Sequence, residues 1–182
     1  MGRVPAEDAA LSLAVDFLNT YDTYNVPPEL LSIERVRRLT AHHGHPRLGL
    51  DLREGDVAAL RAMRERLRPA FASPDPAEKL RALDEVLAEQ ATGARLRGDP
   101  GGLPRLAAAG GRDPVGRLAV ALADALAHAL ATGGPERFST CAGDPCRCVY
   151  VDRTRAGRQR YCCQLCNDRM AAAAYRQRRR SG

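Results

Sequence analysis

All six cysteines of this 182-residue chain fall in its last forty-two residues: Cys141, Cys146, Cys148, Cys162, Cys163 and Cys166. Thiolates in short-range pairs are soft ligands, and a closed structural zinc site takes four of them as two pairs separated by a loop. Cys141-x4-Cys146 supplies the first pair. Cys162-x3-Cys166 and Cys163-x2-Cys166 both have ligand spacing for the second, and spacing alone does not choose between them. Cys148 and one of those neighbours are left over. Disulfides would need an oxidising compartment, and no apolar segment follows a basic start, so a cytoplasmic chain with reduced thiols is expected. A catalytic zinc keeps an open position and usually takes histidine or carboxylate ligands, yet the last histidine, His128, precedes the cluster. The expected cofactor is a structural Zn2+.

Directly after the cysteines comes an arginine-rich helix over residues 170–180. From position 147 onward ten arginines face only Asp152 and Asp168, a local charge of +8 that leaves −2 for the rest of a chain whose net charge is +6. Lys79 is the only lysine, so the basic groups are guanidinium forks able to grip phosphates or guanine edges bidentately. At 100° per residue, Arg169, Arg176 and Arg180 fall within about 40° of one another, a stripe narrow enough for a major groove. Arg178 and Arg179 point elsewhere and suit phosphates. The loop between the cysteine pairs adds Arg153, Arg155, Arg158 and Arg160, with Gly157 as its turn, as a second phosphate-contacting edge. Tyr150 and Tyr161 flank the metal pairs and are expected to pack the knuckle, and Tyr175 to dock the helix onto it.

Three stretches carry a resemblance. Cys141-Ala-Gly-Asp-Pro-Cys146, then Val149-Tyr150-Val151-Asp152-Arg153-Thr154, then Arg160-Tyr161-Cys162-Cys163-Gln164-Leu165-Cys166-Asn167-Asp168-Arg169 together resemble the CGNR zinc-finger family. That family shows C-x4-C, an aromatic-x-Asp-x-Ser/Thr stretch, an aromatic-Cys-Ser and a closing Cys-Gly-Asn-Arg. Here Asn167-Asp168-Arg169 replaces Gly-Asn-Arg, and Cys163 occupies the serine position. The resemblance therefore implies Cys141, Cys146, Cys162 and Cys166 as the ligands. Near the other end, Leu13-Ala14-Val15-Asp16-Phe17-Leu18-Asn19-Thr20 resembles the opening Leu-Asp-x-x-Asn-Thr of the ABATE domain that usually precedes such a finger. The family is regarded as stress-responsive transcription regulators, which implies duplex DNA as partner.

The elements that must position these residues read as helices. Ala10, Leu13, Ala14, Phe17, Leu18 and Tyr21 recur at three- and four-residue steps, the mark of one buried face. A second helix is expected over 28–39 and a third over 56–71, with Leu60, Met63 and Leu67 inward. Asp75, Pro76 and Glu78 read as N-cap, first-turn proline and capping-box acid of a helix burying Leu80, Leu83 and Leu87. Residues 94–107, broken by Gly98-Asp99-Pro100-Gly101-Gly102, read as a hairpin. Asp113-Pro114 opens a helix striped by Leu118, Leu122, Ala125, Leu126 and Leu130, closed at Thr132-Gly133-Gly134-Pro135. No transmembrane-length apolar run is expected. The fold class is thus mainly α: a helical unit, 1–134, with a small β-hairpin, and a treble-clef-like zinc module, 135–182, ending in a basic helix.

Asp16, Asn19 and Thr20 lie together at the end of the first helix, where they line a ligand pocket or tie the helix to a neighbouring loop. His42-His43-Gly44-His45 is a weaker candidate for metal binding or pH sensing. No glycine-rich phosphate loop, nucleophile elbow or histidine-carboxylate zinc motif is present, so the chain does not read as an enzyme. The reading is a cytoplasmic, bacterial zinc-finger regulator that binds double-stranded DNA, with a small-molecule effector or homodimer contact at the helical unit and no membrane partner. Three other classes fit the same residues: a thiol switch through Cys148 or Cys163, an RNA binder stacking bases on tyrosine, and an adaptor for an acidic protein surface.

Overall fold

The structure, a computed structural model, describes residues 9–98 and 104–181. Helix α1 (Ala9–Leu18) buries Leu11, Leu13, Ala14, Phe17 and Leu18. Helix α2 (Ile33–His42) starts later than expected. Ser32, in extended conformation, accepts a hydrogen bond from the Arg35 N–H and caps it, while residues after Pro28 lie in a bridge that pairs Tyr21 with Glu29. Tyr21 accordingly leaves the α1 stripe. Gly44, at φ 77°, ends α2 by passing its own N–H to Ala41 and that of His45 to Thr40, a left-handed turn that glycine makes at no steric cost. The chain then enters α3 (Arg47–Leu50).

The expected third helix is broken in two, α4 (Val57–Leu67) and α5 (Pro69–Ala72), because Pro69 has no N–H to continue the ladder. Helix α6 (Pro76–Gln90) begins where expected, with Asp75 accepting from the Ala77 N–H. Its capping box differs: the Asp75 N–H goes to Ser73 Oγ, and Ser73 in turn donates to Glu78. Leu80, expected inside, is 54% exposed, while Lys79, Ala82, Leu83 and Val86 turn inward. Strands β1 (Gly93–Arg97) and β2 (Arg105–Ala109) form the expected antiparallel hairpin, whose tip lies outside the described residues. Helix α7 (Pro114–Gly133), capped by Asp113, buries all five expected stripe residues between α1 and α6. By length and composition α7 could cross a membrane, contrary to the sequence expectation, but 61% of its apolar window is buried inside the fold, as in a core helix.

A two-stranded hairpin, β3 (Phe138–Thr140) with β4 (Val149–Val151), follows, and α8 (Gln164–Ser181) closes the described chain. The mainly α class with small hairpins is borne out. Phe138, Val149 and Val151 belong to the same apolar core as α1 and α7, and the Phe71 and Phe138 rings meet at 4.9 Å. Lys79 is buried and donates to the Pro135 and Phe138 carbonyls at 2.9 and 2.6 Å, burial pushing its ammonium below its ordinary pKa. Arg64 is likewise buried, forked onto Glu29 by two 2.8 Å bonds that hold the Glu29 carboxyl below its usual range.

The tightest bond between the helical body and β4 comes from Asn19. Its amide donates to the Val149 carbonyl at 2.9 Å and accepts from the Val149 N–H at 2.8 Å. Val149 faces Thr140 while the ladder bonds are made on either side, by Cys141 to Cys148 and Asp152 to Arg137. Its own polar groups therefore point outward, and Asn19 serves as the missing strand partner. Asn19→Ala leaves both groups half-buried and unpaired, and is expected to cost about 2–3 kcal/mol. Chemical denaturation of the zinc-loaded protein checks this, an unchanged midpoint refuting it.

Candidate metal centre

The turn between β3 and β4 wraps the chain around its own sulfurs. Cys141 extends the ladder by donating to the Cys148 carbonyl at 2.8 Å, and the backbone then folds back so that the Gly143 N–H meets Cys141 Sγ at 3.4 Å and the Cys148 N–H meets Cys146 Sγ at 3.5 Å. Gly143 lies against the cluster: a Cβ there would make ordinary van der Waals contact with Cys141 Sγ at 3.4 Å and Cys166 Cβ at 3.5 Å. The second cysteine pair is brought up by two further bonds, Ala142 N–H to the Arg160 carbonyl at 2.9 Å and Cys162 N–H to Cys141 Sγ at 3.3 Å. Cys166 arrives on the first turn of α8.

The Sγ atoms of Cys141, Cys146, Cys162 and Cys166 all lie within 4.8 Å of one another. Cys146 to Cys162 is 3.8 Å and Cys162 to Cys166 is 3.7 Å. A tetrahedron of sulfurs around zinc has edges of about 3.8 Å, given zinc–sulfur bonds of about 2.3 Å. The donor set and its spacing therefore fit zinc. Cys163 lies outside the group, exposed, although its Sγ is 3.8 Å from that of Cys162. Cys148 is half-buried beside the cage.

Crowding sets the thiol chemistry. Burial, then neighbouring sulfurs, push Cys162 strongly upward, and burial takes Cys166 and Cys148 to about 12. At Cys141 burial acts the same way, but N–H donors from Cys162 and Gly143 outweigh it and lower the thiol. The exposed Cys163 is lowered chiefly by the Cys166 N–H at the start of α8. Four sulfurs this close resist carrying negative charge together unless a cation sits among them.

The long loop between the pairs is organised by Asp152, the acid of the aromatic-x-Asp-x-Ser/Thr stretch, to which the sequence assigned no role. It is buried, and accepts from Thr154 N–H at 2.8 Å, Thr154 Oγ at 2.6 Å and Gln159 N–H at 2.8 Å. Burial raises its pKa, but these bonds more than offset that and leave it below the ordinary value. Buried Arg137 holds the Asp152 and Thr154 carbonyls, and the Tyr150 hydroxyl donates to the Gln159 carbonyl at 2.6 Å. Gly157 makes the expected turn at φ 63°. Tyr150 and Tyr161 pack against the cysteine cluster as expected. Tyr175 does not: it is 56% exposed, and Met170 and Ala173 are the half-buried positions of α8 instead.

The arginines separate into three groups. Arg153 leans back to α1, donating to Ser12 Oγ at 3.3 Å, and Arg169 stacks 4.0 Å from the ring of Tyr24, on the loop after α1. Arg158 and Arg160 border a cleft of about 430 Å3 at the start of α8, shared with Tyr161, Cys163, Gln164 and Asn167. Gln164 and Asn167 were not singled out in the sequence. Arg155 lies exposed on the same loop, and Arg176, Arg178, Arg179 and Arg180 are exposed on the outer half of α8. The Asp16, Asn19 and Thr20 trio divides as well. Asp16 pairs with His43 Nε2 at 2.8 Å, Asn19 holds Val149, and Thr20 is buried between the Phe17 carbonyl and Arg64.

A helical body bearing a four-cysteine knuckle and a protruding basic helix defines a zinc-finger regulator. Residues 11–133 match the ABATE family, described as "Putative stress-induced transcription regulator", and residues 137–179 match the CGNR zinc finger. The chain belongs to the ABATE family and carries a CGNR zinc finger. Neither description names an enzyme. A comparison with curated proteins returned no match.

Proposed function

We propose that the chain is a cytoplasmic transcription regulator that binds duplex DNA through a zinc-fixed helix. One Zn2+ held by Cys141, Cys146, Cys162 and Cys166 closes the module and leaves no position for catalysis. Two units, 1–134 and 135–182, divide the work, the first sensing a small molecule or dimerising and the second contacting DNA. The observation that carries the reading is the pairing of a cage at one end of α8 with an unpacked arginine face at the other. Arg158 and Arg160, beside the first turn of that helix, suit phosphates, where helix N–H groups add to the attraction, and Arg155 on the same loop suits a further phosphate. Arg176 and Arg180 suit base edges, with Arg178 and Arg179 on flanking phosphates.

Coupling between the units runs through the bonds that join them. Asn19 grips β4, Arg68 donates to the Arg147 carbonyl at 2.7 Å, Thr23 to the Pro145 carbonyl at 2.8 Å, and Tyr24 carries Arg169. A change at α1 therefore shifts the knuckle and the root of α8 together. Selection of genomic duplex fragments by the zinc-loaded full-length protein at physiological salt tests the reading. A shared motif among recovered fragments is expected, and a dyad within it would mark a homodimer. Retention of single-stranded RNA with no duplex enrichment would overturn it.

A further inference from the structure

A cavity of about 630 Å3 opens on the helical unit between α1, the turn from α2 into α3, the β1 strand and the middle of α7. Its floor is apolar, with Leu13, Leu48, Ala121 and Leu122. Its rim carries three guanidinium groups, those of Arg47, Arg95 and Arg97, beside His45, and no carboxylate among the described residues that line it.

The hairpin gives this rim its meaning. Side chains alternate across a strand, so Arg95 and Arg97 share one face of β1, the face of Ala107, which pairs with Arg95 and is buried. Leu96 and its partner Leu106 face the other way and are 78% and 70% exposed. Arg95 and Arg97 are exposed, as is all of β1, but theirs is the face turned toward the body, where a strand that served only as a cover would place the leucines. Part of the inversion is explained internally. Arg105 forks onto buried Asp124 at 2.9 and 3.2 Å, and Arg97 reaches the same carboxylate at 3.8 Å. Arg95 has no such reason: among the described residues the guanidinium groups of Arg95 and Arg47 have no ion pair or hydrogen bond. Cations without counter-ions above a low-dielectric floor focus a positive field into the space between them.

We propose that this cavity binds a small organic anion, a monocarboxylate with an apolar body. Arg95 and Arg47 take the carboxylate, whose two oxygens match the guanidinium fork, and Leu13 with Leu122 receive the apolar part. The volume is that of a small-molecule site. This inference rests on the reading of the helical unit as a sensor and names what it senses. Ala10 and Leu13 of α1 line the cavity, and Asn19, just past the other end of the same helix, holds β4. Ligand and zinc module thus bear on one rigid element.

Calorimetric titration of the zinc-loaded full-length protein, without DNA, tests it with octanoate, 3-phenylpropanoate, octylammonium and octanol. Binding of at least one carboxylate is expected, at least about tenfold tighter than octylammonium or octanol. Arg95→Glu should weaken it by at least about tenfold, as removal of a charge-assisted fork does, with the unfolding midpoint unchanged. Arg81→Glu, an exposed change on α6 away from the cavity, should not. No heat from either carboxylate up to about 10 mM, a concentration that would nearly saturate a site of millimolar affinity, overturns the proposal. So does equal binding of octylammonium, or equal affinity in Arg95→Glu. Because DNA is absent, a protein that takes carboxylate but selects no duplex keeps the cavity and loses the DNA reading, and the reverse result does the opposite.

Discussion

Stripping zinc with a chelator is expected to melt residues 141–148 and 152–181 while the helical body stays folded, and to abolish DNA binding in the same titration. The module has almost no core of its own: the cluster around the cage consists of Cys141, Cys146, Tyr150 and Cys166, with Cys148, Tyr161 and Cys162 at its edge. So few apolar groups cannot offset the entropy of ordering this loop and helix. Structural zinc in comparable modules supplies about 10–16 kcal/mol at neutral pH, which is folding free energy because the site does not exist in the unfolded chain. The β3–β4 strands should survive, since Phe138, Val149 and Val151 sit in the core of the body and Asn19 holds β4. Far-UV circular dichroism should lose helix corresponding to α8, hydrogen exchange should rise over 141–148 and 152–181 but not over β4, and mass spectrometry should count one zinc per chain. Cys141→Ser with Cys166→Ser should reproduce the metal-free state, whereas Cys163→Ser should not. DNA affinity that outlives the metal would sink the proposal.

The helices with a strong cap were legible in the sequence. Asp75-Pro76 and Asp113-Pro114 each combine a side-chain acceptor with a proline whose missing N–H costs nothing in the first turn, and both open helices as expected. Ser32 is a cap of equal quality but was hidden behind Pro27-Pro28, which read as a helix start and instead belongs to the turn bridging Tyr21 to Glu29. Leu80 misled because helical periodicity names a stripe without saying which residues form its edge. The cysteine cluster announced itself by spacing, since a knuckle draws its ligands from neighbours along the chain.

What spacing could not convey were bonds between distant residues. Asn19 and Val149 are 130 positions apart, and nothing in Asp16-Phe17-Leu18-Asn19-Thr20 says that its amide completes a strand edge. Lys79 did leave a signal: one lysine among 28 basic residues is a choice, and its buried ammonium joins the helical body to the start of the zinc module. The inward arginines of β1 left one too, since leucines and arginines alternating on a hairpin fix the faces but not which face meets the body.

Replacing Arg176 and Arg180 together by alanine is expected to lower affinity for a selected duplex by about 100- to 1,000-fold, each bidentate base contact contributing about 1–3 kcal/mol. The reasoning starts from how α8 is held. Its Ala171 to Ala174 run has the highest helix propensity available, and Arg178, Arg179 and Arg180 lie in its last turn, where cations complement the helix dipole. After Ala173 every described side chain is exposed, so the outer half packs on nothing in this chain and projects from the cage. Arg176 lies ten residues past Cys166, about 15 Å along the axis, and the alanines keep the approach slim enough for a major groove about 12 Å wide. Base contacts carry sequence information, so the loss should be much smaller on unrelated duplexes and should scarcely change the salt dependence. Arg158→Ala should act in the opposite way, weakening all duplexes alike and reducing the slope of log affinity against log salt by about 0.9, the signature of one phosphate. Both variants leave the cage and the Asp152 loop bonds intact, so zinc content and unfolding should stay as they were. Unchanged affinity in the double variant would remove α8 from the recognition surface, and equal losses on every sequence would move Arg176 and Arg180 from base edges to the phosphate backbone.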